Sequence, residues 1–174
     1  LYHESININD PMNKEAAMNT WSRHEIGHDS PQAMARVLAL VVSHDSRVKA
    51  SEMEMLDQLG AFERIGVDAD DFDEYVEHGS IDTAARHRAG SAAFLGWRDI
   101  EHIEQALSGV QEPSHRLMLC RLAAGVITAD GRVSDIERLA FQHMCNRWGY
   151  TSSDIARAIR EDRSYGSRGP QRSE

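Results

Sequence analysis

The sequence predicts an all-α fold, a compact bundle of about seven helices built from two similar halves. Aromatic residues make up only 6% of the chain, while good helix formers such as Ala, Leu, Met and Glu are abundant. Apolar residues recur with the period of a helix along most of the chain. A helix–turn–helix pattern also occurs twice. These three observations favour helices over a β-sandwich.

The clearer copy of this pattern runs from Ala124 to Glu137. An apolar helical run stops at Asp130, and Gly131 can take the positive φ that ends a helix. Ser134 and Glu137 have the spacing of a capping box, in which each residue satisfies a backbone N–H of the other. The segment therefore predicts a hairpin of two helices joined by a turn that contains Asp130.

The second copy lies upstream, at residues 41–52. The alignment pairs Asp45 with Asp130, and Glu52 with Glu137. The glycine of the downstream turn is replaced by serine, and its capping serine by lysine. The chain is therefore predicted to contain two pseudo-repeats of a helix–Asp turn–helix hairpin, of which the first is degenerate.

The predicted helical domain spans residues 31–162, with halves at about 31–78 and 99–162. Residues 1–30 are expected to form an N-terminal extension with a helix over 11–28, and residues 163–174 a disordered tail. Within the domain, helices are predicted over residues 31–44, 49–65, 69–78, 98–108, 114–129, 134–148 and 153–162, with a weaker one at 81–89 joining the halves.

Charge and cysteine content narrow the range of partners and locations. The net charge of −9 argues against nucleic acid, because phosphate binding needs a basic face. Much of the acid lies in residues 52–82. The run from Asp68 to Glu74 is typical of a solvated helix N-terminus, where acids favour the helix dipole, and a docking face for a basic protein is the alternative. Cys120 and Cys145 lie in apolar helical patterns and predict free buried thiols in a reducing cytoplasm. No run of residues is long enough for direct membrane insertion, so we expect a cytoplasmic protein.

The segment Leu122–Glu137 resembles the tellurite-resistance TerB-like family. It reads Leu-Ala-Ala-Gly-Val-Ile-Thr-Ala-Asp-Gly-Arg-Val-Ser-Asp-Ile-Glu, and Trp-Gly-Tyr at 148–150 and Ser-Ser-Asp-Ile at 152–155 follow it as in that family. The resemblance covers about residues 31–162 and is strongest over 99–155.

The resemblance implies an all-helical, bacterial-type module linked to stress responses to tellurite and other toxic agents. Members of the family are thought to work by protein–protein interaction within membrane-associated complexes, which would place the chain peripherally at the inner face of the membrane. The acidic residues of the family have been proposed to bind metal. No enzymatic activity is implied. These properties form the principal functional expectation.

The acidic turn residues are candidate ligands for a divalent cation. Carboxylates that flank a turn could converge on a hard cation such as Ca²⁺ or Mg²⁺, provided that the two turns lie adjacent. The candidate ligands are Asp45, Glu52, Asp130 and Glu137. A structural interpretation accounts for the same residue types without any ligand: Asp130 ends one helix, and Glu137 closes the capping box of the next. The structural interpretation is favoured, and the cation site is kept beside it.

A different class of function is suggested by His24-Glu25-Ile26-Gly27-His28, a match to HExxH. On a helix, His24 and His28 would bind zinc while Glu25 acts as the base for a zinc-bound water. The alternative function is therefore a small zinc-dependent hydrolase. Gly27 and Pro31 weigh against it, because they indicate that the helix ends at this point.

Overall fold

The computed structural model describes residues 27–42, 48–79, 96–129 and 133–166. Across these ranges the chain is helical and contains no strand, which confirms the predicted all-α class. In chain order the helices are α1 (Pro31–Val42), α2 (Ala50–Gln58), α3 (Ala61–Ile65), α4 (Ala69–Gly79), α5 (Trp97–Ser108), α6 (Pro113–Ile127), α7 (Asp135–Trp148) and α8 (Ser152–Gly166).

Helices α1 and α6 form the centre of the bundle. Both are apolar on nearly every side, and they pack against each other as well as against several of the outer helices. In α1 the buried residues extend from Ala33 to Val42 with one interruption at Arg36. The core of the domain is therefore built around the two helices whose sequences lack a polar face.

The two halves of the structure repeat each other, as the duplicated sequence predicts. Helix α4 packs on α1 and α8 packs on α6, while α2 contacts α6 and α7 contacts α1. The second helix of each hairpin thus contacts the central helix of the other half. The alignment of Asp45 with Asp130 also pairs six core positions that are buried in both halves. These pairs are Met34 and Leu119, Ala35 and Cys120, Val37 and Leu122, Leu38 and Ala123, Val41 and Val126, and Val42 and Ile127.

The helix predicted over residues 49–65 is divided into α2 and α3. Gly60 lies between them with φ of 61°, in the left-handed region that a continuous α-helix cannot contain. After this break, Ala61 and Ile65 are fully buried. The helical period of the sequence did not show the interruption, because apolar residues continue at helical spacing on both sides of it.

Helices α3 and α7 end in the same way, at the glycines that the repeat pairs with each other. Gly66 and Gly149 have φ of 78° and 76°. The residue after each glycine donates its N–H to a carbonyl five positions earlier, from Val67 to Phe62 at 3.1 Å and from Tyr150 to Cys145 at 2.9 Å. This is the bond that closes a Schellman motif, so the duplication extends to the C-terminal caps.

Other boundaries differ little from the predictions. Helix α6 ends at Ile127, with residues 128 and 129 in a turn, and α8 continues past its predicted end at residue 162 to Gly166. Most of the predicted helix 11–28, all of 81–89 and residues 167–174 lie outside the described residues. Among the described helices, none is long and apolar enough to cross a membrane.

Candidate functional site

Burying charge is costly, so the carboxylates with little solvent exposure are the first place to look for a site. In the described part of the chain the buried charged residues are Glu52, Asp99 and Glu137, which are 2%, 9% and 1% exposed. Each is the third residue of a helix, and each accepts the backbone N–H of the residue that precedes the same helix. The three therefore share one structural role, which is to cap the start of a helix.

Glu137 forms the capping box that the sequence predicts. The N–H of Ser134 donates to Oε2 of Glu137 at 2.8 Å, and the N–H of Glu137 donates to Oγ of Ser134 at 3.1 Å. Two donors at the start of α7 are thereby satisfied inside the protein. The carboxylate also lies at the positive end of the helix dipole, which stabilises its charge. The structural interpretation of Glu137 is confirmed.

Glu52 occupies the equivalent position at the start of α2. The N–H of Lys49 donates to Oε2 of Glu52 at 2.8 Å. The lysine side chain cannot accept a bond in return, so only half of the box forms, but its Nζ lies 3.3 Å from Oε1 of Glu52. Both oxygens of Glu52 therefore interact with Lys49, and recruitment to a cation would disrupt that ion pair.

Asp99 is a cap that the sequence analysis did not identify. Its Oδ2 accepts the N–H of Gly96 at 2.6 Å at the start of α5. The sequence does contain an acid three residues after Gly96. A glycine at the capping position has no side chain to return the bond, so the sequence shows only half of the capping-box pattern.

The predicted cation site is only partly visible. Glu52 and Glu137 lie within the described residues, whereas Asp45 and Asp130 lie outside them. Elsewhere in the described ranges, no group of three or more His, Cys, Asp or Glu side chains is placed to hold a metal ion. The four-carboxylate site stays a prediction.

The HExxH segment reaches the described residues only at its end. His24 and Glu25 lie outside them, while His28 is exposed in a turn closed by the N–H of Ser30 and the carbonyl of Gly27, at 3.2 Å. The zinc-binding form of the motif needs both histidines on consecutive turns of one helix. Gly27 and His28 are not helical, so the bounds predicted for the helix over residues 11–28 extend too far. The helix break that Gly27 and Pro31 indicate explains the difference.

A polar cluster around Asp29 was also not identified from the sequence. Oδ1 of Asp29 accepts the N–H groups of Gln111 at 3.0 Å and Glu112 at 2.9 Å, and lies 3.1 Å from Nδ1 of His115. The N–H of Asp29 donates to the carbonyl of Gly109 at 2.8 Å. The residue that precedes α1 by two positions thus caps the start of α6.

The electrostatics of Asp29 follow from these contacts. Burial alone would raise the pKa of its carboxyl, but the hydrogen bonds from Glu112, His115 and Gln111 outweigh that effect, and the pKa is lowered. Its φ of 57° is positive, which aspartate tolerates better than most residues. The contacts join positions more than eighty residues apart, so no local pattern predicts them.

A second cluster fixes α5 to α7. Glu104 accepts from Arg147 Nε at 2.8 Å and lies 2.7 Å from Nε2 of His143. Partial burial would raise the pKa of Glu104, but the hydrogen bonds from Arg147 and His143 lower it. The cluster lies on the surface between two helices, with side chains between 29% and 54% exposed, and we interpret it as a structural contact that holds the two helices together.

Helix α4 carries the exposed negative charge that the sequence locates between Asp68 and Glu74. Its inner side buries Phe72 and Val76, as predicted. Its outer side exposes Asp70, Asp73 and Glu77, at a spacing that places them on one stripe of the helix. We refer to these three residues as the α4 acidic stripe.

The fold and its caps define a small helical-bundle protein made of two pseudo-repeats, in which the buried carboxylates begin helices. In comparisons with known proteins, no family model, curated protein or solved structure matches the chain. The resemblance to the TerB-like family therefore depends on the motif residues alone.

Proposed function

We propose that the chain is a TerB-like stress-response module that acts by binding another protein through the α4 acidic stripe. The observation that carries this proposal is that buried and exposed carboxylates occupy different positions in the fold. Buried acids begin helices, whereas α4 exposes five acids, three of which form the α4 acidic stripe, on a helix fixed to the core. Exposed charge on a fixed element is suited to recognition rather than to folding.

The position of α4 supports recognition by a preformed surface. Phe72 and Val76 are 0% and 2% exposed and hold the helix against α1 at the centre of the bundle. The ring of Phe72 also packs edge-on against Phe62 of α3, with centroids 5.6 Å apart. The stripe therefore needs little ordering when a partner binds, which lowers the entropic cost of association.

The chemistry of the stripe favours a partner segment rich in lysine or arginine. Such a contact is steered by charge, so it should weaken as salt rises above physiological strength. The resemblance adds the expectation that the partner belongs to a membrane-associated complex. The chain would then reach the membrane surface through its partner and would need no membrane-spanning helix of its own.

The test is genetic complementation in the organism that encodes the chain. Deletion of the gene should sensitise cells to tellurite or another toxic agent, and the wild-type chain should restore resistance. The triple variant Asp70→Asn, Asp73→Asn, Glu77→Gln should fail to restore it. The matched control Asp57→Asn, Glu63→Gln, Glu101→Gln removes the same charge from exposed positions on α2, α3 and α5 and should restore it fully.

Thermal melting of both triple variants shows whether a loss of resistance comes from unfolding. The stripe variant should melt within a few degrees of the control if its substitutions affect recognition alone. Full complementation by the stripe variant would contradict the proposed surface. Unchanged stress resistance after deletion would contradict the proposed stress-response role.

A further inference from the structure

The two cysteines of the chain face each other across the contact between α6 and α7. Sγ of Cys120 and Sγ of Cys145 are 3.9 Å apart, close enough for one thiol to donate a hydrogen bond to the other. Both are free thiols, and both are buried, at 0% and 7% exposure. A disulfide requires the sulfurs to approach to about 2 Å, so its formation must bring the two sulfurs about 2 Å closer together.

We propose that Cys120 and Cys145 form a thiol-oxidation site that converts to an intramolecular disulfide when the protein meets a low-molecular-weight disulfide. The new bond would link α6 to α7, which are consecutive helices of the chain. The inference rests on the position of the thiols in the core and is independent of the proposed partner and of the α4 acidic stripe.

The structure also assigns an order to the two thiols. Cys145 retains 7% exposure, whereas Cys120 is fully enclosed, so an incoming reagent reaches Cys145 first. The hydrogen bond between Cys145 and Cys120 lowers the pKa of Cys145 against the opposing effect of burial. The same hydrogen bond, together with burial, raises the pKa of Cys120. Cys145 is therefore the attacking thiol, and Cys120 resolves the intermediate.

The reaction balances as two successive thiol–disulfide exchanges. The thiolate of Cys145 attacks one sulfur of the small disulfide, forms a mixed disulfide and releases one small thiolate. Cys120 then loses its proton, and its sulfur attacks Sγ of Cys145, which expels the second small thiolate. The protein loses two electrons and two protons, and the small disulfide is reduced to two thiols.

The experiment uses the full chain treated under native conditions with excess oxidised glutathione as the small disulfide. Peptide mapping without reductant should show Cys120 joined to Cys145, with a protein mass lower by two hydrogens. Because the link restricts the unfolded chain, Tm should rise by roughly 5–10 °C and return to its original value on addition of a reductant. Wild-type protein with two unlinked thiols, or linked only between molecules, would overturn the proposal.

Single variants test the order of reaction. Cys120→Ala should accumulate the mixed disulfide at Cys145, because the resolving thiol is absent. Cys145→Ala should leave Cys120 unmodified in the folded protein. The Cys120 thiol should react once this variant is unfolded in urea. Equal modification of the two variants in the folded state would overturn the assigned order. Should either variant fail to fold, the wild-type peptide map still decides whether the disulfide forms, and brief alkylation of the wild-type protein shows which thiol reacts first.

Discussion

At the scale of single residues, the protein uses buried carboxylates as caps at helix starts. A carboxylate that is 1% exposed, such as Glu137, is tolerated because a backbone N–H donates to it and the helix dipole favours its charge. Glu52 has the same position in the other half and gains an ion pair with Lys49 in place of the second bond of the box. Glu52 and Glu137, which suggest ligands in the sequence, therefore both have a structural role as helix caps.

The capping role of Glu137 predicts a graded response to substitution. Glu137→Ala should lower the free energy of unfolding by about 1–3 kcal/mol, because a cap is lost and the partly buried N–H of Ser134 loses its acceptor. Glu137→Gln keeps an acceptor in the same place and should cost less than about 1 kcal/mol. Urea denaturation measures both changes. Equal losses for the two variants would show that charge, rather than the cap, is what matters at this position.

The cation site predicted at Asp45, Glu52, Asp130 and Glu137 has a direct test that leaves the caps intact. If the site exists, Ca²⁺ or Mg²⁺ should raise the Tm of the wild-type protein by mass action. The increase should be absent in Asp130→Asn, which removes a candidate ligand but neither capping glutamate. A titration that leaves the wild-type Tm unchanged would contradict the site.

At the scale of secondary-structure elements, backbone conformations at helix ends decide where each helix stops. Gly149 has φ of 76°, and a Cβ placed there would contact nothing within 4 Å, so replacement costs only backbone strain. We expect Gly149→Ala to lower the free energy of unfolding by about 1 kcal/mol. Gly27→Ala is the matched control, because that glycine is equally open but lacks a positive φ. Similar losses in the two variants, measured by urea denaturation, would contradict this explanation.

The hydrogen bonds that Asp29 accepts at the start of α6 predict that the stability of the fold depends on pH. The pKa of Asp29 is lower in the folded state, so its stabilising contribution is complete above the unfolded pKa of about 3.9 and is lost as pH falls through the folded value. Asn tolerates the positive φ and keeps an acceptor oxygen. Asp29→Asn should therefore cost about 0.5–1.5 kcal/mol at pH 7 and less near pH 3, which lies below the unfolded pKa.

Denaturation of the wild type and Asp29→Asn at both pH values measures this difference. Asp57→Asn, at an exposed position on α2, should show little effect at either pH. If Asp29→Asn lowers the free energy of unfolding equally at pH 3 and pH 7, the charge of the carboxylate does not contribute to the strength of these hydrogen bonds.

At the scale of the whole molecule, the sequence predicted the architecture well because the two central helices carry an unusual signal. α1 and α6 are apolar on nearly all sides, so each was expected to be surrounded by other helices. The duplicated motif indicated that the two helices belong to equivalent halves. The break at Gly60 was missed because one residue in a left-handed conformation leaves the apolar period unchanged. The cap supplied by Asp29 was missed because its partners are distant in the chain.

The candidate site was predictable only in part, and for similar reasons. The spacing of Ser134 and Glu137 indicated a capping box, since both partners lie within one helical turn. Convergence of the Asp45 and Asp130 turns depends on how the halves meet, which no local pattern encodes. The pairing of Cys120 with Cys145 likewise depends on the register of α6 against α7, although each cysteine alone was predicted to be buried.

The proposed function places the partner contact on the outer surface of α4, and site-specific photo-crosslinking in living cells tests that most directly. A photoreactive amino acid at position 73 should yield one defined adduct with a protein that contains a basic segment, and the same amino acid at position 57 should not. The adduct at position 73 should disappear when Asp70 and Glu77 are replaced by Asn and Gln. Absence of any adduct at position 73, or the same adduct at both positions, would contradict a partner bound to the α4 acidic stripe.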